Sequence, residues 1–402
     1  MGLFCLWDNF CVISSMKYLK YYISTVTIIS AIYSCTLGAY SPTIFFIGFS
    51  FFIIIGDMFI GEDLSEQNYS FPFLLNLPIY INFSFLILFV LITVYMLGSE
   101  SSNIFSTMIL DYLRIDLNTA RVSINSLDSI FLVALTSLFI GVMGTVPGHE
   151  LVHRKKNRFD MFMGNWLMAI SWDCAFAIEH VYGHHKNIGL STDPATAKRG
   201  ENIYRFIFQA IIKEQKDAWI IESDQLKRRK ESIFSFKNRM LKGYFRSFVI
   251  TLSAFIIGGF SGMLIYLLCA FTAKALLETI NYCEHYGLVR ASGQLVFPRH
   301  SWNSNSILSS LYLYNVTRHS SHHEKANLKY WELKAYKDAP TLPQGYLTML
   351  FLAVFTPYYF HKIMSKKVIE WDNNFATKEE KLLSQVQNEK SGIPILINQL
   401  SK

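Results

Sequence analysis

The chain has 402 residues, of which 51% are hydrophobic and 17% charged, and its formal net charge is +7. Its long uninterrupted apolar runs indicate a membrane protein and argue against two or three soluble domains. No basic stripe interleaved with aromatic side chains accompanies the positive charge, so nucleic acid is not the expected partner. The excess of Lys and Arg is instead expected to mark the cytoplasmic side of a bilayer.

The first third of the chain alternates apolar runs with short polar breaks. Residues 1–20 form a short lead, predicted to be cytoplasmic, and residues 21–147 are predicted to hold transmembrane helices 1 to 4. Each run is close to the roughly 20 residues that a helix needs to cross the hydrocarbon layer. The predicted spans cover about residues 21–40, 43–60, 79–97 and 127–146.

The remainder of the chain alternates between a polar cap and the membrane. Residues 148–246 contain 18 Lys and Arg against 11 Asp and Glu, which by the positive-inside rule places this segment, and with it both termini, in the cytoplasm. Residues 247–283 are predicted to form transmembrane helices 5 and 6, a hairpin that turns at Gly258-Gly259. Residues 284–346 return to the cap. Residues 347–402 are predicted to form an interfacial helix followed by a polar, peripheral tail.

One segment tests this topology. Residues 161–178 are apolar enough, apart from Asp173, to suggest another span. A crossing there would put the histidines at 180–185 and those at 149–153 on opposite sides of the membrane. We therefore predict a buried or re-entrant helix that packs against the bundle.

Histidine spacing is the strongest chemical signal in the chain. Eight of the 11 histidines fall in three boxes with helical ligand spacing, and all three boxes lie on the predicted cytoplasmic side. The boxes contain His149 and His153; His180, His184 and His185; and His319, His322 and His323. His285, at the end of the predicted hairpin, is a ninth candidate ligand. His300 and His361 stand alone and are interpreted as structural.

Eight or nine imidazoles exceed the roughly six donors that one ion accepts, so two metal ions are predicted. The six cysteines are scattered without a Cys-x-x-Cys pair and indicate neither a disulfide framework nor a thiolate metal site. Residues 149–153, His-Glu-Leu-Val-His, also match the zinc metallopeptidase motif with Glu150 as general base, but a peptidase leaves most of the boxes without a role. Iron explains more of them. A metal transporter or sensor is disfavoured because the predicted spans carry few ionisable residues.

The boxes resemble those of the bacterial membrane alkane monooxygenases, within the wider group of membrane desaturases and hydroxylases. The matching stretches are His-Glu-Leu-Val-His (149–153), Glu-His-Val-Tyr-Gly-His-His (179–185), Asn-Tyr-Cys-Glu-His-Tyr-Gly (281–287) and Arg-His-Ser-Ser-His-His (318–323). Shorter matches lie between them, including Gly-Glu-Asp (61–63), Asp-Pro-Ala (193–195), His-Ser-Trp-Asn-Ser-Asn (300–305) and Leu-Pro-Gln-Gly-Tyr (342–346). The resemblance runs from the second predicted span to about residue 370.

The resemblance implies an all-α enzyme of the bacterial inner membrane, with six transmembrane helices and a cytoplasmic helical cap that holds two non-haem irons. Dioxygen is the implied co-substrate. Rubredoxin and rubredoxin reductase, as separate proteins, supply the electrons, and one oxygen atom enters the terminal methyl group of an alkane to give the 1-alcohol. The implied iron ligands are His149, His153, His180, His184, His185, His285, His319, His322 and His323. Glu150, Glu179, Asp193 and Glu284 are candidates for orienting them or tuning the irons.

Three departures from the family pattern leave the substrate open. The family usually has an acidic residue where Ser321 stands, Lys in place of Arg154, and Leu-Gln in place of Val316-Thr317. None removes a ligand, so the rival within the group is a desaturase or hydroxylase that acts on a fatty acyl or other lipid chain. The basic run at 227–230 is interpreted as facing anionic headgroups rather than docking an electron-transfer partner.

Overall fold

The computed structural model describes residues 17–100 and 102–401, and all regular secondary structure in this part of the chain is helical. The prediction of an all-α protein is thus confirmed. Most of the predicted lead, residues 1–16, lies outside the described residues, as do Cys5 and Cys11. The four described cysteines are free and buried.

The amino-terminal half forms the apolar bundle. Helices α1 (Ile23–Leu37), α2 (Ser41–Phe59) and α3 (Phe73–Leu97) are followed by two short helices, α4 (Asn103–Leu113) and α5 (Leu117–Ser123). Helix α6 (Ser126–Phe139) continues through a π-helical segment (Ile140–Thr145) into α7 (Val146–His153). Asp128 holds the start of α6 to the α1–α2 turn, because its carboxylate accepts hydrogen bonds from Thr43 Oγ1 (2.6 Å) and the Tyr40 N–H (3.0 Å).

The cap begins with α8 (Arg158–Ile170), which has 13 residues and packs closely on α7. A turn then leads into α9 (Phe176–Glu179), a second π-helical segment (His180–His184) and the short α10 (His185–Asn187). Segment 161–178 is therefore not one spanning helix. Helix α11 (Ile203–Arg228) follows, and it packs along the next helix.

Helix α12 (Arg239–His285) is broken at Gly259, whose φ of 65° and ψ of −162° suit only glycine. The break falls at the glycine pair where the sequence predicts a turn. A β-carbon on Gly98 would lie 2.5 Å from the carbonyl oxygen of Gly258, so glycine at both positions lets the end of α3 approach this turn.

Shorter elements complete the cap: α13 (Ile307–Tyr312), α14 (His319–Glu324), α15 (Tyr346–Phe355), α16 (Pro357–Asn374), α17 (Lys378–Lys390) and α18 (Pro394–Ile397). The prediction of a peripheral tail is wrong. Trp371, Glu380, Ser384, Asn388 and Leu396 are buried, because the tail packs against the cap through both apolar and polar contacts.

Among the described residues, four helices are long and apolar enough to cross a membrane: Ser41–Phe59, Phe73–Leu97, Ser126–His153 and the broken helix Arg239–His285. The chain is accordingly a multi-pass membrane protein. Helix α1 has 15 residues and falls short of the usual spanning length. The count of six spans and the cytoplasmic position of the cap stay predictions.

Candidate metal centre

The histidine boxes occupy short helical segments whose geometry decides which side chains share a face. In α7, His149 and His153 stand four residues apart, and their ring centroids are 4.9 Å apart. In the second box the turn is π-helical, and a π-helix pairs residues five apart rather than four. This brings His180 and His185 together, with 3.1 Å between their Nε2 atoms, and leaves His184 on another side.

The structure gathers all nine predicted ligands into two groups, within each of which the candidate donor nitrogens lie within 4.8 Å of one another. The five-histidine group consists of His149, His153, His180, His185 and His322. The four-histidine group consists of His184, His285, His319 and His323.

The two groups are neighbours. Helix α14 lies between them, since His322 belongs to the first group while His319 and His323 belong to the second. The ring centroids of His185 and His323, one from each group, are 4.5 Å apart. Two ions held by these groups would therefore be close enough to act on one substrate together.

The donor set fits metal ions. The groups supply only imidazole nitrogens, which suit iron, copper and zinc. Among the described residues, His153 Nε2, His184 Nε2 and His319 Nδ1 are buried with no hydrogen-bond partner, although buried polar atoms normally have one. An ion in the five-histidine group would satisfy His153 Nε2, and an ion in the four-histidine group would satisfy His184 Nε2.

The protonation states also fit metal binding. Burial, together with the neighbouring His184, lowers the pKa of His322 to about 3. Burial likewise lowers the pKa of His180, His185 and His323 well below the ordinary value. These rings are therefore neutral at physiological pH, with a lone pair available for a cation.

Asp193 is the carboxylate most clearly placed to orient a ligand. His184 Nδ1 donates to it at 3.0 Å, and Thr196 Oγ1 also donates to it. Burial alone would lower the pKa of His184, but the adjacent carboxylate raises it and fixes the ring proton on Nδ1. Nε2 is then left free for a metal ion, which is the usual arrangement of a carboxylate behind a metal-bound histidine.

The other three candidate carboxylates differ in position. Glu284 Oε2 lies 3.2 Å from His319 Nε2, inside the four-histidine group. Glu179 packs over Gly183 and is buried, and this burial raises its pKa to about 8. Glu150 belongs to neither metal group, and its carboxylate accepts two hydrogen bonds from Arg154, at 2.6 and 3.0 Å.

Two openings lie at or near the five-histidine group. One is a cavity of about 670 Å³ lined by His153 and His185 and by basic side chains that include Lys155, Lys156 and Lys329. The other is a narrow apolar seam with about 20 Å³ of free volume. It lies between the π-helical segment at 140–145, helix α15 and the part of α12 that follows the break at Gly259. The residues that line the seam are Leu138, Gly141, Val142, Val146, Leu276, Leu277, Ile280, Leu313, Leu347 and Leu350. Val146 and Leu313 also line a small space that contains His149 and His322.

Sequence reasoning missed a charged cluster beside this centre. Lys274 Nζ lies 2.9 Å from Asp173, 2.7 Å from Glu214 and 2.6 Å from Glu278, and all four side chains are buried. Lys274 and Glu278 fall inside the predicted transmembrane hairpin, residues 247–283. A lysine and a glutamate four residues apart in an apolar run were the sequence feature that could have indicated this buried charge cluster.

The residues outside the two groups have ordinary partners. His300 Nε2 donates to Glu380 at 2.8 Å, and His361 Nδ1 accepts from the Tyr286 hydroxyl at 2.6 Å. Neither histidine belongs to the metal groups, in agreement with their interpretation as structural.

Comparison with known proteins agrees with this geometry. A family model described as fatty acid desaturase matches residues 129–353, more than half of the chain. The chain belongs to this family. The matched region includes all nine histidines of the two metal groups.

Individual relatives show which members of the family this chain is similar to. The chain is 36% identical over 260 residues to an alkane 1-monooxygenase of Pseudomonas putida, covering 62% of this chain and 63% of the relative. It is 37% identical over 257 residues to an alkane 1-monooxygenase of Acinetobacter baylyi, covering 61% and 62%. It is 30% identical over 264 residues to the xylene/toluene monooxygenase hydroxylase component of Pseudomonas putida, covering 65% and 70%. These similarities confirm the predicted resemblance. The matched region spans about 60% of the length of the alkane 1-monooxygenases.

Proposed function

We propose that this chain is a membrane di-iron monooxygenase that converts the terminal methyl group of a medium- or long-chain alkane into a primary alcohol. The balanced reaction takes an alkane, one dioxygen, two electrons and two protons and gives the 1-alcohol and water. The observation that carries the proposal is the pair of adjacent all-histidine groups, which take in every predicted ligand and leave three buried ring nitrogens without a hydrogen-bond partner among the described residues. Similarity to alkane 1-monooxygenases adds the reaction class.

In this proposal the nine histidines of the two groups are the iron ligands. The irons, when bound, supply the redox chemistry for dioxygen reduction and for attack on an unactivated C–H bond, which zinc does not supply. Asp193 fixes the ring proton of His184, and Glu284 contacts the His319 ring at 3.2 Å. These two carboxylates thus help to orient one imidazole each in the four-histidine group.

The apolar seam is the proposed binding site for the alkyl chain. Its lining offers no charged side chain, and Val146 and Leu313 connect it to the space beside His149 and His322. Burial there would contribute about 0.8 kcal/mol for each methylene group. Because the seam is narrow, its leucine side chains must rotate to admit a chain, so binding favours slim, unbranched substrates.

We also propose the orientation and the electron donor. The cap, the termini and the metal centre lie on the cytoplasmic side of the bacterial inner membrane, as the excess of basic residues between 148 and 246 indicates. Electrons come from rubredoxin, which is reduced by rubredoxin reductase. The cavity at His153 and His185 is rimmed by Lys155, Lys156 and Lys329, and this positive rim would favour an acidic electron-transfer protein more directly than the run at 227–230 does.

Two alternative functions can be compared with this proposal. A desaturase or hydroxylase that acts on a fatty acyl or other lipid chain would use the same irons and the same seam, and the family match accommodates it. A zinc metallopeptidase would need Glu150 free to activate water, but Arg154 binds that carboxylate at 2.6 Å. The structure thus offers a specific reason against the peptidase.

One assay separates these functions. Purified protein is analysed for iron and zinc, then supplied with rubredoxin, rubredoxin reductase, NADH, oxygen and linear alkanes of several lengths. We expect about two irons per chain and 1-alcohol as product. An alkene product would move the protein to the desaturases. Stoichiometric zinc without iron would remove the oxygenase proposal altogether.

A further inference from the structure

Helix α17, residues 378–390, turns polar side chains toward the cap. Glu380, Ser384 and Asn388 follow one another at four-residue spacing, and all three are buried. The family model ends at residue 353, before this helix begins. A buried polar stripe is costly unless each group has a partner, so its partners indicate what the helix is for.

The partners of Glu380 lie in the loop between α12 and α13. Its carboxylate lies 2.8 Å from His300 Nε2 and accepts from Arg299 at 3.0 and 3.1 Å. His300 Nδ1 accepts from the Phe297 N–H at 3.0 Å, so the ring proton is on Nε2 and is donated to Glu380. These contacts fix both the ring of His300 and the backbone on either side of it.

That backbone touches a metal-group histidine directly. His285 Nδ1 donates to the carbonyl oxygen of His300 at 3.1 Å, and its Nε2 lies 3.2 Å from His319 Nε2 inside the four-histidine group. A carbonyl that holds the Nδ1 proton directs the Nε2 lone pair of the imidazole toward an ion. Glu380 is therefore two contacts away from a proposed iron ligand.

A second set of contacts ties the tail to the same place. Arg199 forms a paired hydrogen bond with Asp372, at 2.6 and 2.7 Å, and also donates to Ser384 and Asn388. Its Nε donates to the carbonyl oxygen of Gly287 at 2.9 Å, two residues after His285. The tail is thus anchored near His285 a second time, through contacts that do not involve Glu380.

We propose that Glu380 is a positioning residue for His285, and that the carboxy-terminal helix α17 is part of the support of the four-histidine metal group. The inference rests on the proposed function, because it takes His285 as an iron ligand. Glu380 holds His300, the carbonyl of His300 holds His285, and loss of the carboxylate loosens one metal group while the five-histidine group keeps its own supports.

The test compares Glu380→Ala and Glu380→Gln with the wild type. Glu389→Ala is the matched control, since Glu389 is an exposed glutamate on the same helix. Each full-length protein is purified in detergent and loaded with iron-57. Iron retention is then measured during titration with a chelator, and Mössbauer spectra report the two sites separately. Far-UV circular dichroism and thermal unfolding report the fold.

We expect one of the two irons in Glu380→Ala to be lost at about tenfold lower chelator concentration, the low end of the effect of outer partners on metal affinity. Its Mössbauer signal should change while the other signal stays. Glu380→Gln keeps a neutral acceptor and should fall between, and Glu389→Ala should match the wild type.

Two results would overturn the inference. If Glu380→Ala holds both irons as tightly as the wild type, the contact does not position His285. If both irons weaken equally and the unfolding temperature drops with them, Glu380 supports only the fold. A wild-type protein that binds no iron would instead refute the proposed function, and this outcome is distinct from either.

Discussion

Replacing Lys274 with methionine tests how the buried charge cluster beside the metal centre is held. The ammonium group lies 2.6 to 2.9 Å from three carboxylates, those of Asp173, Glu214 and Glu278, and all four side chains are buried. Removing one partner of a buried ion pair costs about 3–5 kcal/mol, because the remaining charge has no compensation. We expect Lys274→Met to lose at least that much unfolding free energy.

The loss should depend on pH in a defined direction. Burial and the neighbouring Glu278 raise the pKa of Glu214 well above its ordinary value of 4.5, and burial raises that of Asp173. An acid whose folded pKa is raised makes the folded state hold more protons, so stability falls as pH rises above the unfolded pKa. Without the lysine this effect grows, and the deficit of Lys274→Met should therefore be larger at pH 8 than at pH 5.

The assay is denaturant-induced unfolding in detergent micelles, at both pH values, for Lys274→Met and a control. The control is Lys242→Met, which replaces an exposed lysine on the same helix that forms no ion pair with any residue that the structure describes. A double variant, Lys274→Met with Glu214→Gln, should recover part of the loss, since it removes one of the uncompensated charges. Equal stability of Lys274→Met and the control would refute this account of the cluster, as would a deficit that does not change with pH.

Three further predictions follow from single contacts. Gly141→Leu, which fills open space in the apolar seam, should shift the preferred alkane to shorter chains, while Gly48→Leu on an exposed helix face should not; product profiles with mixed alkanes decide this. Asp193→Asn should lower iron affinity about 10- to 100-fold, measured by chelator competition, because the carboxylate that fixes the ring proton of His184 is lost. Burial opposes ionisation of Glu380, but hydrogen bonds led by that from His300 lower its pKa from 4.5 to about 2. The stability advantage of the wild type over Glu380→Gln should thus be complete above pH 4.5 and shrink as pH falls toward 2, measured by unfolding.

Histidine spacing predicted eight of the nine members of the two groups, His285 being proposed from its place at the end of the hairpin, but it did not predict the division into two groups. His184 and His185 are adjacent in the sequence and look equivalent there. The π-helical turn at His180–His184 separates them, because it pairs His180 with His185 and leaves His184 to the other group. A π-helical turn depends on tertiary packing, and no residue pattern in residues 179–185 predicts it.

Two of the three departures from the family pattern have physical explanations that only the structure supplies. Ser321 Oγ accepts a hydrogen bond from the Lys334 N–H at 3.0 Å, so the side chain braces the following loop and belongs to neither metal group. Arg154 binds Glu150 and Asp160 and lies over the Trp331 ring. Both residues act on the surroundings of α7 and α14, and neither changes the donors.

The tail shows why burial of polar residues escapes sequence reasoning. A helix on a protein surface normally turns an apolar stripe toward the core. In α17 the stripe that faces inward is Glu380, Ser384 and Asn388, so the hydrophobic pattern indicates an exposed helix although the structure buries one side of it. Glu379 and Glu380 are indistinguishable by composition. Only the position of His300 and Arg299 makes one of them a buried anchor.

The two histidine groups have different surroundings, and this difference suggests a division of labour. The five-histidine group meets both openings: His153 and His185 line the basic cavity, while His149 and His322 adjoin the apolar seam.

No histidine of the four-histidine group lines the basic cavity, the apolar seam or the small space beside it. The group is held instead by Asp193, by Glu284 and by the carbonyl of His300. Changes along the seam should therefore alter which substrate is oxidised and leave metal binding intact. Changes in the supports of the second group should do the reverse, since they weaken an ion without reshaping the path of the alkyl chain.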